Sequence, residues 1–175
     1  MSLDEVPLGA RVLVDANIII YYSAGLSLSC RRLLLRGERR EVELYISAAT
    51  LAEARHGLMI AEARSKNLFV GSNPARRLRE NPGIVRQLSS YREIENALAS
   101  ALQTVDLTPA ILEAGFDASR EWGLLTNDAL LVAAAMSLGI DKIASADADL
   151  QRVTSFVVFA PDDLFSACAD EIPPR

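Results

Sequence analysis

Short apolar runs that alternate with helical stretches constrain this chain more than any other feature. Arg11-Val12-Leu13-Val14 has the character of a strand buried on both faces of a parallel sheet. A helical stretch follows over residues 18–36, with a break expected near Gly25. Val42-Glu43-Leu44-Tyr45-Ile46 is the second strand, and Ser47 caps a long helix to about Lys66. Residues 67–90 carry Asn67, Gly71, Asn73-Pro74 and Asn81-Pro82-Gly83, which predict irregular chain with short helical pieces. A helix resumes over 91–102, and Thr104-Val105-Asp106-Leu107 is a short strand. Thr108 caps the next helix, with Pro109 in its first turn, to about Trp122. Another helix runs from Asn127 to Leu138 and stops at Gly139. Lys142-Ile143-Ala144-Ser145 and Phe156-Val157-Val158-Phe159 are the last strands, and Pro161-Asp162-Asp163 opens a closing helix. This order predicts an α/β fold: a mainly parallel central sheet of about 4–5 strands, flanked by helices on both faces. The 175 residues, half of them hydrophobic, are expected to form one domain spanning 1–175.

Four acids stand at the places where such a sheet builds its sites. In open parallel sheets ligands bind beyond the carboxyl ends of the strands. Asp15 ends the first strand, and Asp147 follows the Ile143-Ala144-Ser145 strand. Glu53 lies on the helix after the second strand, among small residues. Asp128 lies in the first turn of its helix, where the helix dipole favours an ionised carboxylate. Carboxylates brought together repel unless a cation neutralises them. A Mg²⁺ or Mn²⁺ site, and hence phosphate chemistry, is the expectation. His56 is the one histidine, which excludes a histidine-rich zinc site. Asn17 and Ser145 are expected to hydrogen-bond around the acids, and Asp149 is either a further ligand or a local cap.

The net charge of −5 is unevenly divided. Residues 1–100 hold 14 Lys/Arg against 11 Asp/Glu, and residues 101–175 hold 4 against 12. Arginines cluster at Arg31, Arg32, Arg36, Arg39 and Arg40, and again at Arg76, Arg77, Arg79, Arg86 and Arg92. Local patches therefore say more about partners than the global charge does. Arg76, Arg77, Arg79 and His56 are candidate RNA contacts. No apolar run reaches the roughly 18 residues that span a membrane. The N-terminal residues lack a basic stretch before an apolar one, so no signal peptide and a cytoplasmic location are expected. Cys30 and Cys168 share no motif and read as buried small hydrophobes.

Val14-Asp15-Ala16-Asn17, Ala52-Glu53, Thr126-Asn127-Asp128-Ala129-Leu130-Leu131 and Ala144-Ser145-Ala146-Asp147-Ala148-Asp149-Leu150, in that order, resemble the PIN domain family of nucleases. Within it, the chain looks most like the VapC-type toxins of toxin–antitoxin pairs. The resemblance implies that Asp15, Glu53, Asp128 and Asp147 form an acidic quartet binding Mg²⁺ or Mn²⁺. It implies a metal-dependent endoribonuclease that hydrolyses single-stranded RNA by in-line attack of water, without a covalent intermediate. It implies a small antitoxin as partner, and a homodimer or higher oligomer. Two features depart from the pattern: segment 64–92 is longer than its counterpart in compact toxins, and Leu150 stands where an aromatic is usual. The segment is expected to act as a lid, a substrate clamp or an interface.

Other classes fit less well. Aspartyl-phosphate phosphatases want a second Asp two residues after the nucleophile, and position 17 is Asn. A receiver-type domain wants a Lys after its late strand, whereas Lys142 precedes it. An RNA-processing nuclease that is not a toxin, and a non-catalytic domain of the same fold that binds RNA or protein, remain as alternatives.

Overall fold

The computed structural model describes residues 1–69 and 73–164. Five strands form one parallel sheet: β1 (Arg11–Val14), β2 (Glu43–Ser47), β3 (Leu102–Val105), β4 (Lys142–Ala144) and β5 (Val157–Phe159). Their spatial order is β3-β2-β1-β4-β5. The helices are α1 (Ala16–Ser23), α2 (Leu28–Glu38), α3 (Ala48–Ser65), α4 (Pro74–Glu80), α5 (Pro82–Val85), α6 (Ser90–Leu98), α7 (Pro109–Trp122) and α8 (Thr126–Ser137). Short 3₁₀ turns cover Leu3–Glu5 and Ala148–Arg152.

The strand order explains why both faces are covered. The chain steps outward from β1 to β2 to β3, then returns past β1 to lay down β4 and β5. Parallel crossovers are right-handed, so reversing the direction of travel moves the connecting helices to the opposite face. One core layer accordingly packs Ile18, Ile19, Leu33, Leu34 and Leu58, from α1 to α3, on Val12, Val14, Leu44 and Ile46. The other packs α7 and α8 on Leu13 and Ile143. Val12 and Val14 serve one layer and Leu13 the other, as the two-residue strand period requires. A third, smaller cluster joins Ile60 and Ala63 of α3 to Leu78 of α4 and to Leu88.

Local signals behave as read at several points. The helical stretch after β1 breaks into α1 and α2, and Gly25 takes a left-handed conformation there (φ +67°) that a side chain would resist. Ser47 caps α3 by accepting from the Thr50 N–H at 3.0 Å. Thr108 caps α7, with Pro109 at its start. Segment 67–90 holds the short helices α4 and α5.

Two expectations need correction. The third strand is Leu102–Val105, not 104–107, because pairing with β2 sets its limits: Leu102 lies opposite Leu44 and Val105 opposite Ser47. Beyond Ser47 the β2 chain turns into α3, so Asp106 and Leu107 have nothing to pair with. No helix opens at Pro161-Asp162-Asp163 either; residues 161–164 are not helical, and the remainder of that stretch lies outside the described residues. Asp163 instead serves another helix. Its carboxylate accepts from the Leu28 and Ser29 N–H groups (2.8 and 2.9 Å) and from the Ser27 and Ser29 hydroxyls (2.6 and 2.7 Å). It thereby caps the N-terminus of α2 from the far end of the chain. Burial alone would raise its pKa, but these donors prevail and hold it down at about 2.

Cys30 is buried, and desolvation pushes its thiol up to about 11; Cys168 lies outside the described residues. Among the described residues no single helix is long and apolar enough to cross a membrane.

Gly37 of α2 passes close to Leu44 of β2. A Cβ there would stand 2.6 Å from Leu44 Cδ1 and 3.0 Å from the Ala101 carbonyl oxygen. Gly→Ala inside a helix normally stabilises by about 0.5–1 kcal/mol, whereas forcing a group into packed space costs about 1–3 kcal/mol. Gly37→Ala is therefore expected to destabilise, with a Tm lower by roughly 2–8 °C in a thermal melt. An unchanged or raised Tm would mean that α2 moves away freely.

Candidate functional site

β1 and β4 are neighbours across the point where the strand order reverses, the place where parallel sheets open a crevice. Their register pairs Leu13 with Ile143 and Val14 with Ala144. The next residues, Asp15 and Ser145, therefore leave the sheet side by side. The Asp15 N–H still donates to the Ala144 carbonyl at 2.9 Å. Asp15 is 3% exposed and Ser145 fully buried.

A closed set of hydrogen bonds fixes these side chains. Asp15 Oδ1 accepts from the Ala16 N–H at 2.6 Å, so Asp15 also caps α1. Asp15 Oδ2 accepts from the Ser145 hydroxyl and from Asn17 Nδ2, both at 2.6 Å. Ser145 Oγ in turn accepts from the Asp147 N–H at 2.9 Å and from Asn17 Nδ2 at 3.2 Å. Asn17 Oδ1 accepts from the Ala146 N–H at 3.2 Å. The serine hydroxyl thus uses its one proton and both lone pairs. Residues 15, 17, 145 and 147 come together in one rigid group spanning the ends of two strands.

The other two acids are carried by helices. Glu53 lies in the second turn of α3, and its Oε2 accepts from Asn127 Nδ2, on α8, at 2.9 Å. Asp128 follows Asn127 directly and is 4% exposed, in the first turn of α8. Reading along the chain did not single out Asn127 as a site residue. Its place beside Asp128 was the available signal, but its bond to a residue 74 positions away was not. Among the described residues no three His, Cys, Asp or Glu side chains stand together as a finished metal cage. The donors on offer at the site are carboxylate oxygens, the chemistry that fits a hard cation such as Mg²⁺ or Mn²⁺.

The remaining candidates are placed as follows. Asp147 Oδ1 accepts from the Asp149 N–H at 2.8 Å, so Asp147 is the local cap of its turn. Asp149 forms an ion pair with Arg152 at 2.8 Å. His56 is exposed on α3, one turn beyond Glu53. Arg76, Arg77 and Arg79 are exposed on α4, and Arg76 is paired with Glu80 at 2.7 Å.

The chain is similar to known proteins in sequence and in fold. A model of the PIN domain matches residues 12–155, from β1 to just before β5. Ribonuclease VapC2 of Methanocaldococcus jannaschii is 25% identical over 143 residues, covering 82% of this chain and 89% of that protein. The fold is similar to VapBC2 from Rickettsia felis, solved bound to a DNA fragment from its promoter. The TM-score is 0.57 at 14% identity, over 87% of this chain and 99% of that one. It is also similar to Mycobacterium tuberculosis VapC20, described as a Sarcin-Ricin loop cleaving toxin. There the TM-score is 0.54 at 12% identity, over 83% of this chain and 96% of that one. At these identities the two solved structures bear on the fold alone.

Proposed function

This chain belongs to the PIN domain family, and on that premise we propose that it is a Mg²⁺- or Mn²⁺-dependent endoribonuclease cleaving single-stranded RNA, the toxin half of a toxin–antitoxin pair. The observation that carries the reading is the buried Asp15, held by Ser145 and Asn17 where the β1 and β4 ends meet. A buried carboxylate at the strand ends, fixed by three donors, suits a ligand more than a solvated surface group. Asp15, Glu53, Asp128 and Asp147 would hold a divalent cation, which would supply water activation and neutralise charge on the leaving oxygen. The residues themselves do the positioning. Ser145 and Asn17 set the direction of the Asp15 carboxylate, and Ser145 fixes the backbone from which Asp147 projects. Asn127 steadies Glu53 beside Asp128. Asp149, tied to Arg152, has a supporting part.

The ribonuclease reading draws on VapC2 of M. jannaschii, and the antitoxin partner belongs to the same proposal. In the same proposal the chain is one cytoplasmic nuclease unit over 1–175, acts as a homodimer or higher oligomer, and carries segment 64–92 as an inserted lid or interface segment. The test is cleavage of a mixed single-stranded RNA by purified protein with Mn²⁺, Mg²⁺ or EDTA. Cleavage with either ion and none with EDTA is expected. Equal cleavage in EDTA would remove the metal from the scheme.

Ser145→Ala separates positioning from general packing. It strips Asp15 of one donor and leaves the Asp147 N–H without its acceptor. Changes of this kind beside a metal ligand cost about 10–100-fold in activity or metal affinity. Such a loss is expected in kcat for RNA cleavage, with recovery in Ser145→Thr, which restores the hydroxyl. Equal activity of Ala and Thr variants would show that the hydroxyl has no such part.

A further inference from the structure

Residues 73–92 hold five arginines and one acid, Glu80, in a chain whose net charge is −5. The structure separates this arginine cluster from the one on α2. On α2, Arg32 is bound to Asp4 at 2.5 Å. Arg36 donates to the Val6 carbonyl at 2.6 Å and stands 3.7 Å from Glu41, which Arg39 also approaches at 3.9 Å. Those charges hold the N-terminal segment and the turn before β2. Arg31 and Arg40 form no ion pair among the described residues, and in the second cluster only Arg76 meets a described acid. Arg77, Arg79, Arg86 and Arg92 are exposed and form no ion pair among the described residues.

The arm that carries them is firmly seated on α3. Leu78 and Leu88 pack on Ile60 and Ala63. Glu62 of α3 caps α6 through the Ser89 and Tyr91 N–H groups (2.9 and 3.3 Å). Arg55 of α3 makes a two-pronged bond to Glu95 of α6 at 2.7 and 3.0 Å. The same helix carries Glu53, seven residues before Ile60, or about 10 Å at 1.5 Å per residue. Four guanidinium groups without an ion pair among the described residues, on one seated segment, repel one another until a polyanion arrives.

On the nuclease reading above, we infer that this arm grips the phosphate backbone of the substrate RNA outside the cleavage centre, with Arg77, Arg79 and Arg86 as its main contacts. Guanidinium forks suit phosphate oxygens and carry no sequence preference of their own. The arm therefore sets affinity and the path of the strand, and the acidic crevice sets where it is cut.

The experiment measures binding apart from cleavage. Fluorescein-labelled mixed single-stranded RNA is titrated with Asp15→Asn protein at several KCl concentrations, and the anisotropy is followed. The same is done with Arg77→Ala/Arg79→Ala/Arg86→Ala added. Removing three phosphate contacts is expected to weaken binding roughly tenfold or more at about 0.1 M salt and to flatten the log K against log salt slope by about 2. Lysines at the three positions should keep most of the slope, while Arg31→Ala/Arg40→Ala, on α2 and in the turn after it, should change neither quantity. If the Asp15→Asn protein binds RNA and the arm variant matches it in affinity and slope, the arm inference fails and the nuclease reading stands; the arm's charge then serves another partner, such as an acidic peptide. If no RNA is bound and the wild type cleaves none with any metal, both fail.

Discussion

Asp15→Asn is expected to remove RNA cleavage at every Mg²⁺ or Mn²⁺ level while leaving the fold in place. The fold survives because Asn caps a helix about as well as Asp, so the Ala16 N–H keeps its acceptor. The local cost falls on the other oxygen. Asp15 Oδ2 accepts from two donors, Ser145 and Asn17. An amide nitrogen in its place would face both, and leaving buried donors unmet costs about 1–3 kcal/mol. The charge is the larger loss. A neutral amide cannot anchor a hard divalent ion as a carboxylate does. Merely misorienting a ligand costs about 10–100-fold, so removing one should exceed about 10²-fold. Cleavage assays beside a thermal melt read both effects. A folded Asp15→Asn protein that keeps more than about a tenth of wild-type cleavage would sink the assignment of Asp15 to the chemistry.

The place of Asp15 at the end of β1 was legible in the sequence because its information is local. An apolar run ended by an acid marks a strand's carboxyl end, whatever else the chain does. The caps at Ser47 and Thr108 were readable for the same reason, since each acts on its own helix within three residues. The βαβ order fixed a parallel sheet, and the continuous apolar runs promised cover on both faces, which the two core layers supply.

Long-range pairing was not legible. Asp163 read as a first-turn acid of a closing helix, because helix starts favour acids. It does serve a helix N-terminus, but that of α2, some 135 residues earlier. The third strand was read two residues late, because its limits come from β2 and not from its own residues. The two arginine clusters looked alike in sequence. Only Asp4 and Glu41, folded against α2, distinguish the first, where they pair with Arg32, Arg36 and Arg39 but not with Arg31 or Arg40. Around the site, the acids at strand and helix starts were visible, whereas the Glu53–Asn127 bond needed two helices on opposite faces of the sheet to meet.

Glu62 carries the second large effect. It is 7% exposed, yet its pKa lies at about 2. Burial pushes the pKa upward; Lys66 and the N–H groups of Ser89, Ser90 and Tyr91 pull it down further. Ser89 makes no side-chain cap of its own, so Glu62 replaces the cap that α6 lacks. A folded pKa below the ordinary 4.5 means that the ionised form is bound more tightly in the folded state. The stabilisation is therefore complete above about pH 5 and is lost as pH falls toward about 2. Glu62→Gln keeps the size and removes the charge, and should lower stability by about 1–3 kcal/mol at pH 7. In urea unfolding curves the gap between wild type and variant should close as pH falls from about 5 to about 2.5. A gap that stays constant with pH would assign the effect to packing. Because Glu62 also fixes α6 against α3, loosening it should weaken RNA binding through the arm even with every arginine in place.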